Sequence, residues 1–437
     1  MATQRTVAFQ TLGCKLNFSE TSSIKRQFEG HGYVAVPHSD PADIFILNTC
    51  SVTDFADRKC RKAVRSALKV NPDARVVVIG CYAQLKPEEI AQIEGVDMVL
   101  GATEKFNILN YIDDLSATAQ SGMIKAGDLQ ELKTFENAYS IGDRTRSFLK
   151  VQDGCDYKCT FCTIPQARGK SRSDSIDNIV KSAKVIAAAG VKEIVLTGVN
   201  IGDFGLTEVN GSRDRSQGSF LDLIKELDQV EGISRFRISS IEPNLCDDAI
   251  IEFVAQSQRF VPHFHMPLQS GSDKILKDMR RRYKSDLYVD RVRKIKTLMP
   301  HCCIGVDVIV GFPGETEEEF MTTYNFLNEL DISYLHVFTY SERNNTLAAT
   351  AEASVPMEER RRRNKMLSIL SEKKKRNFYK QHLGTARTVL FEKSNATGMM
   401  TGFTDNYVKI ETPLREEMIN FEELFELNNI NDKGMIS

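Results

Sequence analysis

The sequence predicts an α/β chain of three units: an N-terminal parallel α/β domain, a central open (β/α)6 partial barrel and a small C-terminal β-barrel. Three observations carry this reading. Apolar β-branched runs alternate with helix-like segments in two separate stretches. A strongly charged helix follows, and after Gly384 the pattern changes to short alternating runs with polar turns. A length of 437 residues, at about 150 residues per domain, agrees with several modules rather than one core.

In order along the chain, TVAFQTLG, ADIFILNT, ARVVVIG and DMVLG read as strands of a parallel sheet ending near residue 115. A polar connector is expected over 116–145. The barrel, over 146–345, takes its six strands from SFLKVQDG, KEIVLTG, SRFRISSI, HFHMPLQ, CCIGVDVIVGF and SYLHVFTY. Between them lie helical segments such as SIDNIVKSAKVIAAAG, with apolar residues at three-to-four spacing and Gly190 as its stop. A charged helical linker fills 346–383, where Met366, Leu367, Ile369 and Leu370 form a narrow apolar stripe between two basic blocks. TARTVLFE and NYVKIET then belong to the C-terminal module, 384–437.

Hydrophobic residues at 41% and charged residues at 27% are an ordinary globular composition, which excludes global disorder. The N-terminus lacks the apolar core of a signal peptide and no stretch is long enough to span a bilayer, so a cytoplasmic protein without a membrane partner is expected. A net charge of -2 argues against coating nucleic acid by bulk electrostatics, although local basic patches can still grip a folded RNA. Ten cysteines in a reducing compartment point to metal binding or catalysis rather than a disulfide framework.

Cys155, Cys159 and Cys162 form a C-x3-C-x2-C run directly after the first barrel strand. Structural zinc asks for four ligands, and no fourth Cys or His lies nearby. Three thiolates instead suit an iron-sulfur cluster with one iron open to a small molecule. Cys14, Cys50 and Cys81 each follow an apolar run, in TLGC, LNTC and VIGC. The carboxyl ends of neighbouring parallel strands share one crevice, so these thiols can meet there and hold a second cluster. The plainer alternative is three buried packing cysteines. Cys60, Cys246, Cys302 and Cys303 lack partners at ligand spacing and read as packing residues, and His263 and His265 as structural strand histidines.

The C-x3-C-x2-C run, with Phe161 before its last cysteine, resembles the signature of the radical S-adenosylmethionine (SAM) superfamily, which implies Phe161 at the cofactor. Together with TLGCKLN, ILNTCSVT, IGCYAQ, MPLQSGSDKILKDMRRRY, VDVIVGFPGET and YSERNNT, it resembles the radical SAM methylthiotransferase family over almost the whole chain. TLGCKLN and RISSIEP resemble the branch that modifies N6-threonylcarbamoyladenosine in tRNA. The resemblance implies two 4Fe-4S clusters, an auxiliary one on the three N-terminal cysteines, and an OB-like TRAM domain at the C-terminus. It implies methylthiolation at carbon 2 of the modified adenosine beside the anticodon, at the cost of two SAM per turnover. The tRNA anticodon stem-loop would be the partner, with a low-potential electron donor such as flavodoxin or ferredoxin.

Residues at the carboxyl ends of barrel strands are placed to hold SAM. Gly198, Asn200, Glu242, Gln269 and the run from Val308 to Gly311 are therefore candidates, with ordinary turn chemistry the alternative for Gly198. Arg280 to Arg282, Arg360 to Arg363 and Lys373 to Arg376 would neutralise RNA phosphates, unless they are merely solvated helix faces. Two other targets stay open: isopentenyladenosine in tRNA, or an aspartate of a ribosomal protein. So does a non-catalytic RNA-binding protein whose cysteines hold zinc.

Overall fold

The computed structural model describes residues 5–50, 54–112, 122–129, 132, 134–142, 144–209, 212–215, 218–393 and 398–437. The N-terminal unit is a six-stranded parallel sheet in the order Val34–Val36, Thr6–Leu12, Ile44–Thr49, Arg75–Gly80, Met98–Leu100 and Met123–Lys125. Helices cover both faces, which is why Ile44–Thr49 is buried at every position instead of alternating. Lys15–Gly30 places Ile24 and Phe28 against Val7, Ile46 and Val77, while Val64 and Ala67 of Asp54–Val70 pack on Phe45 and Val76 across the sheet. The two outer strands were not expected. Each has three residues, too few for a period to show, and Met123–Lys125 lies inside the stretch expected to be connector.

All six expected barrel strands form, as two parallel three-stranded sheets. One has the order Arg235–Ile238, Glu193–Thr197, Arg146–Lys150; the other His263–Gln269, Cys303–Val310, Tyr334–Thr339. A bridge between Phe236 and Phe260 brings them together. Strands Arg146–Lys150 and Tyr334–Thr339 are sheet edges with no ladder between them, so the barrel is open on that side. Ile179, Ala183 and Ile186 of helix Ile176–Ala188 enter the barrel's outer core, Ser175 caps the helix by accepting from the Asn178 amide, and Gly190 follows its end at φ 80°.

Helix Met357–Lys380 lies along the open edge, with Ser371 donating to the Leu335 carbonyl at 2.9 Å. Leu367 and Leu370 of the expected stripe are buried, whereas Ile369 faces solvent. The C-terminal unit is a four-stranded antiparallel sheet in the order Lys409–Pro413, Met399–Thr404, Ala386–Lys393, Glu422–Glu426, consistent with a small β-barrel. It sits under the amino-terminal ends of the barrel strands. Arg235 donates to the Thr388 carbonyl at 2.8 Å, Arg237 to the Asp405 carbonyl at 3.1 Å, and Tyr407 stacks on His263 with centroids 4.6 Å apart.

A buried ion network joins the N-terminal unit to the barrel. Glu20 accepts from Lys105 (2.7 Å), Arg168 (3.0 Å) and Lys150 (3.2 Å). Asp153 accepts from Lys150 (2.8 Å), Arg168 (2.9 Å) and Arg172 (3.0 Å). Burial alone pushes the Glu20 carboxyl up; Arg168, Lys105 and Lys150 outweigh it and hold the group well below the usual carboxylate range. Removing one partner from such a network leaves buried charge uncompensated. Glu20→Gln is therefore expected to cost about 3–5 kcal/mol, measured by urea unfolding; a variant as stable as the parent contradicts this role.

The loop after the first barrel strand is pinned at both ends, where Gln152–Asp153 pairs antiparallel with Arg172–Ser173. Gly154 opens it at φ 69°, and a Cβ there would stand 2.0 Å from the Lys170 carbonyl oxygen. Backbone on both sides leaves no flexible atom to yield. Gly154→Ala is expected to destabilise the fold by at least about 1–3 kcal/mol; unfolding at the parent midpoint would show that the loop can relax.

Candidate functional site

Cys155, Cys159 and Cys162 lie on that pinned loop, all partly exposed. Each sulfur accepts one N–H donor: Cys155 from the Tyr157 amide at 3.4 Å, Cys162 from the Ile164 amide at 3.4 Å, and Cys159 from Arg281 at 3.3 Å. Donors aimed at sulfur favour the thiolate and tune a cluster held there. Without metal, burial pushes the Cys155 thiol up to about 12 and the Cys162 thiol up to about 11. Among the described residues the set of three metal-type ligand atoms lying within 4.8 Å of one another is His265, Asp307 and His336, so the three thiols spread wider than that. A single tetrahedral zinc at about 2.3 Å from each sulfur would hold them about 3.8 Å apart. Three thiols with no fourth protein ligand suit a polynuclear cluster with one open iron better than a single structural zinc.

The second trio meets through strand register. Leu12, Thr49 and Gly80 are direct neighbours across three adjacent strands, and Cys14, Cys50 and Cys81 follow them at the carboxyl edge. Asn17 fixes this edge by donating to the Thr49 carbonyl at 2.9 Å and accepting from Arg168. Burial raises the Cys81 thiol, opposed chiefly by the nearby Arg168 guanidinium, while Cys14 raises it further. Lys105, Lys150 and Arg168 are three buried cations against the two buried carboxylates of Glu20 and Asp153. A cluster carried by three thiolates would supply the missing negative charge. Arg168 follows Cys162 by six residues, so one side chain links both cysteine sites.

Between the start of helix Lys15–Gly30 and the barrel lies a cavity of about 1140 Å³. Cys14, Lys15, Thr197, Gly198, Arg237, His265, Asp307 and His336 are among its lining, and Tyr407 of the C-terminal unit forms its floor. His265 approaches Asp307 at 2.9 Å and His336 approaches the same oxygen at 3.2 Å. Burial pushes the Asp307 carboxyl up, but these two hydrogen bonds outweigh it and keep the group ionised. Burial, then Arg237, holds His263 well below the usual histidine range and neutral. The space exceeds that of a single drug-sized ligand.

The expected SAM residues divide. Gly198 lines the cavity, and a Cβ there would stand 2.8 Å from the Ile201 side chain and 3.0 Å from the Gln152 carbonyl oxygen, so close approach favours glycine. Asn200 is buried, donates to Asp203 at 2.7 Å and keeps Oδ1 without a partner. Phe161 packs edge-on against Phe312 at 6.4 Å. Gln269 stands at φ 71° beside a register shift in its strand, a strained backbone of the kind found at ligand sites. Glu242 is committed to Arg281, the residue that also donates to Cys159. The Val308 side chain is buried in the outer core, because Asp307 before it faces the lumen, so only its backbone is placed to meet a cofactor.

The basic blocks divide as well. Arg281 belongs to the cysteine loop, Arg360 to Glu342 and Arg363 to Glu315, all three removed from any RNA role. Lys374 donates to the Leu330 carbonyl at 2.6 Å. Arg280, Arg282, Arg361, Lys373 and Arg376 remain on the surface. Reading the sequence missed the lumen set of His265, Asp307 and His336. Its signal was present, since HFHMPLQ, VDVIVG and YLHVF carry these residues at alternate positions of adjoining strands.

Comparison with known proteins shows the family. Residues 6–101 match a family described as uncharacterized protein family UPF0004, and residues 149–327 match the radical SAM superfamily. The threonylcarbamoyladenosine tRNA methylthiotransferase of Bacillus subtilis is 42% identical, covering 95% of this chain and 92% of that protein. Its namesake from Aquifex aeolicus is 38% identical over 93% and 96%. A tRNA-2-methylthio-N(6)-dimethylallyladenosine synthase of Corynebacterium glutamicum is 30% identical over 91% and 78%. In fold, the radical SAM methyltransferase TsrM from Kitasatospora setae superposes with a TM-score of 0.58 at 13% identity, covering 79% of this chain and 77% of that one. Both the zinc-bearing and the non-catalytic alternatives fall away, and the chain belongs to the radical SAM methylthiotransferase family, enzymes that work with SAM and 4Fe-4S clusters.

Proposed function

We propose that the protein adds a methylthio group to carbon 2 of N6-threonylcarbamoyladenosine, beside the anticodon of tRNA, using two SAM molecules and two 4Fe-4S clusters. The observation that carries the substrate is the gradient of identity. Relatives named for threonylcarbamoyladenosine reach 42% and 38%, against 30% for one named for dimethylallyladenosine.

The chemistry fits the residues present. Carbon 2 of adenine bears a strong, non-acidic C–H bond, which no side-chain base can deprotonate at an attainable pKa. SAM on a cluster with an open iron supplies one-electron chemistry that takes a hydrogen from such a bond. Cys155, Cys159 and Cys162 would hold that cluster, with Arg281 and two backbone amides on their sulfurs. Gly198, Asn200 and Gln269 line the adjoining strand ends, where Asn200 offers an unsatisfied oxygen to a SAM donor. Cys14, Cys50 and Cys81 would hold the second cluster at the carboxyl edge of the N-terminal sheet, where Cys14 lines the same cavity.

The open barrel edge admits a nucleotide only after it leaves its stack, which costs least in a loop. Arg280, Arg282, Lys373 and Arg376 are exposed cations suited to RNA phosphates, and the C-terminal module adds surface. A flavodoxin or ferredoxin would deliver the electron. No described helix is long and apolar enough to cross a membrane.

Two measurements test this. Nucleoside mass spectrometry of bulk tRNA from a deletion strain is expected to lose the methylthio-threonylcarbamoyl species; normal amounts contradict the substrate, and ribosomal protein mass would then be examined. Anaerobically reconstituted protein is expected to carry roughly eight irons per chain, falling to about four in a Cys14, Cys50, Cys81 triple-alanine variant. Four irons in the parent would remove the second cluster.

A further inference from the structure

The cavity has a charge imbalance that the clusters and SAM do not by themselves explain. Its lining carries five Lys and Arg residues, Lys15, Lys25, Arg144, Arg146 and Arg237, and one carboxylate, Asp307. Three of the cations are matched from behind. Arg146 pairs with Glu392 at 2.6 Å, Arg237 with Glu193 at 2.8 Å and Lys25 with Glu29 at 4.0 Å. Asp307 is taken by His265 and His336. Among the described residues, Lys15 and Arg144 have no carboxylate within ion-pair distance. Arg144 lies 4.4 Å over the Phe18 ring, which holds it on the rim. Lys15 follows Cys14 directly and lines the cavity from an exposed position, repelled by Arg146 and Arg237 and attracted by Asp307.

A cavity-lining ammonium with no ion-pair partner among the described residues, beside two guanidinium groups, makes this wall attractive to an anion. SAM is not that anion: its sulfonium and ammonium outnumber its single carboxylate and leave it a net cation. On the substrate reading above, the base brings its own anion. A threonylcarbamoyl group carries a carboxylate, whereas a dimethylallyl group is wholly apolar. We propose that Lys15, with Arg144 at the rim, binds the carboxylate of the threonylcarbamoyl group and is the residue that selects this base over one with an apolar N6 substituent. The placement suits the reaction, because the anchor adjoins Cys14 and holds the base with its ring toward the second cysteine trio. A carboxylate beside Lys15 also offsets the positive charge of Arg146 and Arg237 on the same lining, which a neutral analogue does not.

The inference rests on the proposed substrate, and the experiment separates the two. Reconstituted holoenzyme is assayed with an anticodon stem-loop RNA bearing threonylcarbamoyladenosine and with the same RNA bearing its neutral carboxamide. The parent is expected to favour the acid in KM. In Lys15→Met that preference is expected to collapse, with KM for the acid rising about tenfold to a hundredfold relative to the carboxamide, as for loss of a charge-assisted contact. Lys15→Arg, which keeps the charge, should retain part of it, and both variants should hold the parent's iron content. Equal slowing of Lys15→Met on both RNAs would assign the lysine to the charge of the neighbouring cluster and overturn the proposal, as would an unchanged preference. A parent that acts on neither RNA overturns the substrate reading and this inference with it.

Discussion

Arg168 is the group on which the architecture depends. It leaves the cysteine loop of the barrel, crosses into the N-terminal unit and bonds Glu20, Asp153 and Asn17, all buried. Charges withdrawn from water are tolerable only when every partner is in place. The two units therefore have one low-energy way to meet, and that arrangement sets Cys162, six residues before Arg168, in fixed relation to Cys14, three residues before Asn17. A hydrophobic interface of the same size would tolerate sliding. On the proposed function, two clusters would serve one substrate atom, and a fixed separation would then matter more than the last kcal/mol of stability.

The same economy of position shapes the cavity. Barrels of this kind are usually filled by packed apolar layers, yet here the inward positions carry Arg146, Arg237, His263, His265, Asp307 and His336. The lumen stays polar and open because the C-terminal unit plugs it from below with Tyr407, while the N-terminal unit stands over the gap between the two edge strands. Each module thus supplies a wall of one site, and none encloses the space alone.

Much of this was legible in the sequence. That Cys155, Cys159 and Cys162 share one loop and that Cys14, Cys50 and Cys81 follow neighbouring strand ends was legible, because each sits in a short local pattern: a C-x3-C-x2-C spacing, or a thiol at the end of an apolar run. The six barrel strands were too, since each carries enough residues to show its character. Three-residue strands such as Val34–Val36 are shorter than any period can reveal. A run read as a block, such as Val308 to Gly311, does not show the alternation that turns the Asp307 side chain inward and that of Val308 outward. Arg360 to Arg363 look like one basic patch, but about 100° per residue of helix sends Arg360 and Arg363 to the core and Arg361 to solvent. The Glu20 network joins residues 130 and 148 positions apart, a pairing that no local reading contains.

The most direct test of the central claim is electron paramagnetic resonance of the anaerobically reduced protein with both clusters loaded. If Arg168 holds the two cysteine sites in contact range, the reduced centres should show a spin-coupled spectrum that resolves into two simple signals when either cysteine trio is replaced by alanine. A spectrum of the parent equal to the sum of those two signals would mean that the centres lie far apart, contradicting the account.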